Sequence, residues 1–228
     1  MSVEKKKYIA INKEIYSILA DNYYEELQNK QNYKQIINSI CNKIFNTYVD
    51  SNNRKPVSIL ELGPGLGKAL SLFSIKYKCN VVGIELSPKM AEKAKKNAPR
   101  AAIINDDINN IDNLLKNQFD IIFVNAVIHL FPRRDAIKLM EKIHRWLRDE
   151  GFLYLSTTLH EVATEGFFAK SNCNSRLKRF RRKYSEMDFK ELVSSAGFRI
   201  TSEWESPETK KNKHWINLIC AKKWRTNL

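Results

Sequence analysis

The mostly apolar run Val57-Ser58-Ile59-Leu60-Glu61-Leu62 breaks directly into Gly63-Pro64-Gly65-Leu66-Gly67. A chain can pass such a turn only as strand, loop and helix, because the missing side chains let a ligand reach the backbone and the first helical N–H groups point outward. A second run, Asn80–Glu85, ends in an acid about twenty residues beyond the glycines. A carboxylate at that place accepts hydrogen bonds from ribose hydroxyls. The spacing is GxGxG with Lys68 following, so the third glycine of a dinucleotide fingerprint is missing from its usual place. The junction therefore favours an adenosine-bearing ligand other than NAD or FAD; the alternative is a tight turn and a solvent-facing Glu.

The periodicities on either side agree with such a junction. Ile36, Ile37, Ile40, Cys41, Ile44, Phe45 and Tyr48 recur at helical spacing, and a shorter helix is predicted from Lys13 to about Glu26. After the first strand come a helix to about Tyr77, the strand Asn80–Glu85, a helix from Pro88 to about Asn97, and strands at Ala101–Ile104 and Phe119–Val124. Ala136, Leu139, Met140, Ile143 and Leu147 mark a further helix before the strand Phe152–Ser156. An irregular stretch follows, then a helix capped by Ser185 and ended by Gly197, and two β-like segments, Phe198–Glu205 and His214–Lys222. Strands alternating with helices predict an α/β fold, a doubly wound, mostly parallel seven-stranded sheet with helices on both faces and a C-terminal antiparallel strand pair. The domain division expected is a helical N-terminal extension over 1–56 and a ligand-binding domain over 57–228 with a basic insert at about 160–184.

Composition narrows the function classes. The 228 residues carry a net charge of +14, and residues 170–228 hold 15 basic against 6 acidic groups. Such an excess attracts nucleic acid, membrane or small anions, or reflects base composition alone. No apolar run approaches the length of a membrane span, and no secretory signal is visible, so a cytoplasmic location is expected. Cys41, Cys79, Cys173 and Cys220 lie far apart without a CxxC pair, so buried thiols are expected rather than a metal site or disulfides.

The segments ILELGPGLG (Ile59–Gly67) and VVGIELSPKM (Val81–Met90) together resemble the first two motifs of class I S-adenosylmethionine-dependent methyltransferases of the small-molecule type. Asn105-Asp106-Asp107-Ile108, Phe119–His129, Trp146–Leu153 and Ser195-Ala196-Gly197-Phe198 resemble that family's later segments in the same order. The resemblance implies S-adenosyl-L-methionine as cofactor, with Glu61, Gly63 and Gly65 at its methionine end and Glu85 on the ribose. It places Leu86 and Met90 beside the adenine and Asp107 on its amino group with Ile108 next to it, Asp106 competing with Asp107. The Asn125 carbonyl would face the cofactor's amino group. Ala20-Asp21-Asn22-Tyr23 resembles an A-x-x-Y segment that would fold Tyr23 over the methionine moiety, or else Tyr23 is a core or surface residue.

Two acceptor classes are weighed. A small molecule is favoured, with the helical N-terminus and the insert building a pocket; RNA is the alternative raised by the charge. Enzymes of this family acting on exocyclic base amines usually present Asn/Asp-Pro-Pro-aromatic, whereas this chain has Asn125-Ala126-Val127-Ile128. Within Arg176–Tyr184, Arg179 and Arg182 are candidates to grip a carboxylate or phosphate, the alternative being a solvated helix face. His129 and His160 follow parallel strands at the carboxyl edge and are candidate general bases, or histidines that merely cap strand ends.

Overall fold

The structure is a computed structural model that describes residues 3–28, 31–52, 56–111, 118–169, 177–208 and 213–223; the side chains of residues 3–6, 22–28, 31, 32, 207, 208 and 213 fall outside that description. Helices α1 (Val3–Gln28) and α2 (Gln31–Ser51) precede β1 (Ser58–Leu62). Then come α3 (Lys68–Ser71), β2 (Asn80–Ile84), α4 (Pro88–Asn97), β3 (Ala102–Ile104), β4 (Phe119–Asn125), α5 (Arg133–Trp146) and β5 (Leu147–Thr158). The chain continues through β6 (Thr164–Ala169), β7 (Lys178–Lys183), α6 (Glu186–Ser195), β8 (Phe198–Glu208) and β9 (Lys213–Lys222). Seven strands form one sheet in the order β3-β2-β1-β4-β5-β9-β8. The first five are parallel, and β9 runs antiparallel to both β5 and β8. The expected doubly wound sheet with its antiparallel C-terminal pair is thus present.

Both faces of the central strands are buried, which is why they read as near-continuous apolar runs. Leu60, Leu62, Ile122, Val124, Leu153 and Leu155 share one core with Leu139, Ile143 and Trp146 of α5 and Phe189 and Val193 of α6. Ile59, Ile121, Phe123 and Tyr154 share the opposite core with Ile37, Ile40 and Ile44 of α2 and Phe73. Each such side chain, fully buried, contributes about 1.5–3 kcal/mol. Ser87 caps α4 by accepting from the Met90 N–H, with Pro88 at the first helical position.

Three expectations are corrected. The first helix begins at Val3, ten residues ahead of the predicted Lys13. Its inner face contains the buried polar residue Asn12 between Tyr8 and Ile15, so the apolar period is interrupted where the helix is in fact anchored. The helix predicted to about Tyr77 is α3 followed by a π-helical segment, Leu72–Lys76. In the basic insert the described residues Thr164–Ala169 and Lys178–Lys183 are strands: β6 and β7 pair antiparallel as a separate two-stranded sheet, from Thr164 opposite Lys183 to Ala169 opposite Lys178.

Helix α1 crosses the carboxyl edge of the large sheet. At one end the Tyr8 hydroxyl donates to Asp135 Oδ2 (3.0 Å). One turn on, Asn12 Nδ2 donates to the Leu130 carbonyl (3.3 Å), and its Oδ1 accepts from the Phe180 N–H (3.0 Å). Ile15, Leu19 and Ala20 then pack on Met90 of α4, and Asp21 pairs with Lys93 at 3.0 Å. Contacts at spacings of three and four residues thus tie one helix face to four elements. Cys41, Cys79 and Cys220 are buried free thiols; Cys173 lies outside the described residues. No helix among the described residues is long and apolar enough to cross a membrane.

Candidate functional site

The carboxyl ends of β1, β2 and β4 converge beneath α1. Gly63, Gly65 and Gly67 all have positive φ (63°, 55° and 73°), which lets the loop turn sharply into α3. At Gly63 a Cβ would stand 2.6 Å from Val127 Cγ2, so the loop after β4 packs where a side chain would otherwise be. At Gly65 a Cβ would meet nothing within 4 Å. That position is open, and its N–H donates to Glu85 Oε2 at 2.9 Å, while Glu85 Oε1 accepts from the Ser87 N–H at 2.9 Å. The structure therefore brings the Gly65 N–H and the Glu85 carboxylate together. Burial raises the Glu85 pKa, opposed by these backbone donors. The Asn105 amide fixes the following turn by donating to the carbonyls of Glu85 (2.8 Å) and Leu86 (3.3 Å).

A cleft of about 340 Å³ opens beside that turn, between α1 and the ends of β2 and β3, lined by Ile9, Lys13, Leu86, Asp106, Asp107 and Asn110 among others. Leu86 and Asp107 meet there. Asp107 Oδ1 accepts from the N–H and side-chain amide of Asn109 (2.9 and 2.8 Å), and Asp106 also lines the cleft. Met90 and Ile108 are buried behind, 2% and 7% exposed, Met90 under α1. Glu61 is wholly enclosed at the end of β1, and its Oε2 has no hydrogen-bond partner. Burial, with the Glu85 charge adding, pushes its carboxyl up to about 8. At the end of β4, Asn125 Oδ1 accepts from Ser156 (2.8 Å), and Ala126 takes a positive φ of 60°. Tyr23 lies on α1, and its side chain is outside the described residues. Open space at Gly65, an acid at its N–H and an orphaned buried carboxyl oxygen fit the predicted cofactor's hydroxyl- and amine-bearing groups.

Beyond the cleft stand the two histidines. His129 is buried, its Nδ1 3.2 Å from Thr157 Oγ1, and the half-buried His160 places Nε2 3.2 Å from Thr158 Oγ1. A hydroxyl on one ring nitrogen fixes the orientation of the ring, and it donates or accepts according to the tautomer. The two predicted arginines separate. Arg179 is buried against α1, donating to the Tyr16 hydroxyl. Arg182 is held by Asp188 (2.8 Å) and Glu165 (2.8 Å), because its side of β7 faces the start of α6. Sequence reasoning missed Tyr8, Asn12, Thr157, Thr158 and Arg181, whose Nη2 donates to Thr158 Oγ1. The four-residue step from Tyr8 to Asn12 to Tyr16 was the available signal for the α1 anchors.

Residues 60–155 match the family described as methyltransferase domain. A curated relative, the malonyl-[acyl-carrier protein] O-methyltransferase of Priestia megaterium, is 29% identical over 137 residues, 59% of this chain and 45% of the relative. The match thus spans about half of that relative's length. Among solved structures, the Burkholderia thailandensis 1,6-didemethyltoxoflavin-N1-methyltransferase with bound S-adenosylhomocysteine superimposes with a TM-score of 0.75 at 17% identity, covering 96% of this chain and 90% of that one. The Synechocystis magnesium protoporphyrin IX methyltransferase gives 0.69 at 14% identity, covering 94% and 99%. With its glycine loop, the acid that follows β2 and its 3-2-1-4-5-9-8 sheet, the chain has the class I S-adenosylmethionine-dependent methyltransferase fold, and its residues 60–155 are similar to the methyltransferase-domain family.

Proposed function

We propose that this protein transfers a methyl group from S-adenosylmethionine to a small molecule bearing an anionic group. The observation that carries the reading is the meeting of Gly65 N–H and the Glu85 carboxylate at 2.9 Å on the carboxyl edge, beneath α1. When bound, S-adenosylmethionine supplies an electrophilic methyl group on a sulfonium sulfur. Glu85 would hold the ribose hydroxyls, Leu86 and Asp107 the adenine, and Gly63, Glu61 and the Asn125 carbonyl the methionine end. Helix α1, anchored through Asn12 and Tyr8, keeps its residues in fixed relation to this edge. Alignment of nucleophile and methyl group supplies much of the rate in an in-line displacement. His129, oriented by Thr157, is the proposed general base for a hydroxyl or protonated amine acceptor, and His160 has the next claim. The similar proteins named above include methyltransferases of a carrier-bound malonyl group and of 1,6-didemethyltoxoflavin, which supports a small acceptor. RNA, the alternative raised by the charge, draws no support from Arg182, which is neutralised by two carboxylates.

Calorimetry with S-adenosylhomocysteine tests the reading. The wild type is expected to bind, and Glu85→Ala to bind at least about tenfold more weakly, since hydrogen bonds to a charged group contribute about 1.5–3 kcal/mol. Absence of binding by the wild type, or equal affinity in the variant, overturns it.

A further inference from the structure

Side chains alternate between the two faces of a strand, and β7 sorts its residues accordingly. On one face the Phe180 ring packs on Tyr8 and Phe167, Arg182 pairs with Asp188 and Glu165, and Tyr184 packs on Phe189. The other face carries three cations. Arg179 donates to the Tyr16 hydroxyl, Arg181 Nη2 donates to Thr158 Oγ1, and Lys183 Nζ lies 4.7 Å above the Phe168 ring. The first two contacts point at α1 and at the carboxyl end of β5. Thr158 is itself 3.2 Å from His160 Nε2, and its neighbour Thr157 holds His129. Arg181 therefore reaches the same edge as both candidate bases.

The residue opposite Arg181 is Gly166. Its φ is not positive, the β6–β7 register runs without a bulge, and a Cβ there would meet nothing closer than the Phe168 ring at 3.8 Å. Neither backbone conformation nor internal packing requires glycine at this place, although glycine weakens a strand. A strand glycine without an internal reason marks an approach site for another molecule. Gly63 and Gly67 differ, since there a Cβ would meet Val127 at 2.6 Å and Ala94 at 2.9 Å.

We propose that this face of the hairpin is the acceptor subsite, with Arg181 gripping an anionic group of the acceptor and Gly166 leaving room for it; the assignment to an acceptor rests on the methyl-transfer reading. The anion is a carboxylate or a phosphate, the two groups whose paired oxygens match the planar fork of a guanidinium. Arg181 thus takes the role that the sequence expected of Arg182, one residue on and facing the other way.

The test is an NMR titration of the full chain, saturated with S-adenosylhomocysteine, with benzoate, phenyl phosphate and uncharged benzamide. One anion is expected to bind the wild type at least about tenfold more tightly than benzamide, and its identity separates the carboxylate from the phosphate source. Arg181→Gln is expected to weaken that anion at least about tenfold with S-adenosylhomocysteine affinity unchanged. Gly166→Val, which suits a strand and fills the space opposite, is expected to do the same with every arginine in place, and it keeps the test decisive if Arg181→Gln fails to fold. Equal binding of benzamide, no binding of either anion to the wild type, or wild-type anion affinity in the variants overturns the subsite. Failure of the wild type to bind S-adenosylhomocysteine overturns the methyl-transfer reading instead, and Arg181-dependent anion binding in that same protein would leave the anion site standing.

Discussion

Two buried carboxylates sit at opposite ends of the same sheet and are treated in opposite ways. Asp120, at the amino end of β4, accepts from the Tyr48 hydroxyl (2.8 Å), the Ser58 N–H (2.7 Å) and the Arg148 guanidinium (2.7 Å). Glu61, at the carboxyl end of the adjacent strand, is buried and has an Oε2 that bonds to nothing. The first acid joins α2, β1, β4 and β5 and is saturated by the fold itself. The second is left incomplete, as an acid is when part of its coordination belongs to a ligand. Buried polar groups are normally satisfied, and the unsatisfied edge is where the proposed site lies.

Breaking the saturated end has the largest expected effect. Asp120→Ala strands the Tyr48 hydroxyl and a partly buried guanidinium, and removing one member of a buried pair costs about 3–5 kcal/mol. Urea unfolding should show a loss of that size. A loss below about 1 kcal/mol, the range of surface pairs, would erase the distinction between the two ends.

Glu61→Gln probes the unsaturated end through pH. The folded-state pKa, about 8, lies above the ordinary carboxyl value of 4.5, so the folded protein keeps a proton that the unfolded chain releases. Its contribution to stability is complete below pH 4.5 and is lost as pH rises through 8. Wild-type stability should therefore fall across that window, at most by about 1.4 kcal/mol per pH unit for one proton. The variant, which cannot titrate there, should show a flatter profile. Parallel profiles for the two proteins would place the proton elsewhere.

The difference between the two ends also explains what the sequence revealed. The glycine loop, the acid ending β2 and the alternating elements were legible because each depends on a few residues close in the chain. The anchoring of α1 was not, since Asn12 owes its burial to Leu130 and Phe180, 118 and 168 residues away. The insert misled for a related reason. Its basic run looks like a solvated face until pairing with β6 fixes which arginine meets Asp188 and which meets Thr158. Nor could the pattern separate Asp106 from Asp107, which both line the cleft.

His129 carries the next effect. Held by Thr157 at 3.2 Å on the functional edge, it is expected to give at least about a hundredfold from general-base catalysis. His129→Ala should lower kcat by that factor with S-adenosylhomocysteine affinity intact, and His160→Ala is the comparison at the neighbouring threonine. Near-wild-type kcat over pH 6–9 in both variants and in their double would leave alignment alone to carry the reaction.

The smallest effect on stability, and the finest division between the two kinds of residue, lies within the glycine loop itself. Gly67 and Gly65 share a positive φ, 73° and 55°, so alanine at either pays a left-handed penalty of about 1–2 kcal/mol. At Gly67 the added Cβ would also stand 2.9 Å from Ala94 Cα on α4, a backbone atom that cannot swing aside. Gly67→Ala should therefore lose the larger stability, because α4 must move. At Gly65 nothing lies within 4 Å, and the fold has no further objection to a methyl group. The space is nevertheless where the proposed cofactor's methionine end would approach the backbone beside Glu85. Gly65→Ala should accordingly unfold close to the wild type, within that left-handed penalty, yet bind S-adenosylhomocysteine at least about tenfold more weakly, a difference of about 1.4 kcal/mol. Unfolding and calorimetry on the two variants decide the matter together. If Gly65→Ala binds as the wild type does, the open position is a feature of the turn alone, and cofactor contact must be sought elsewhere along the edge.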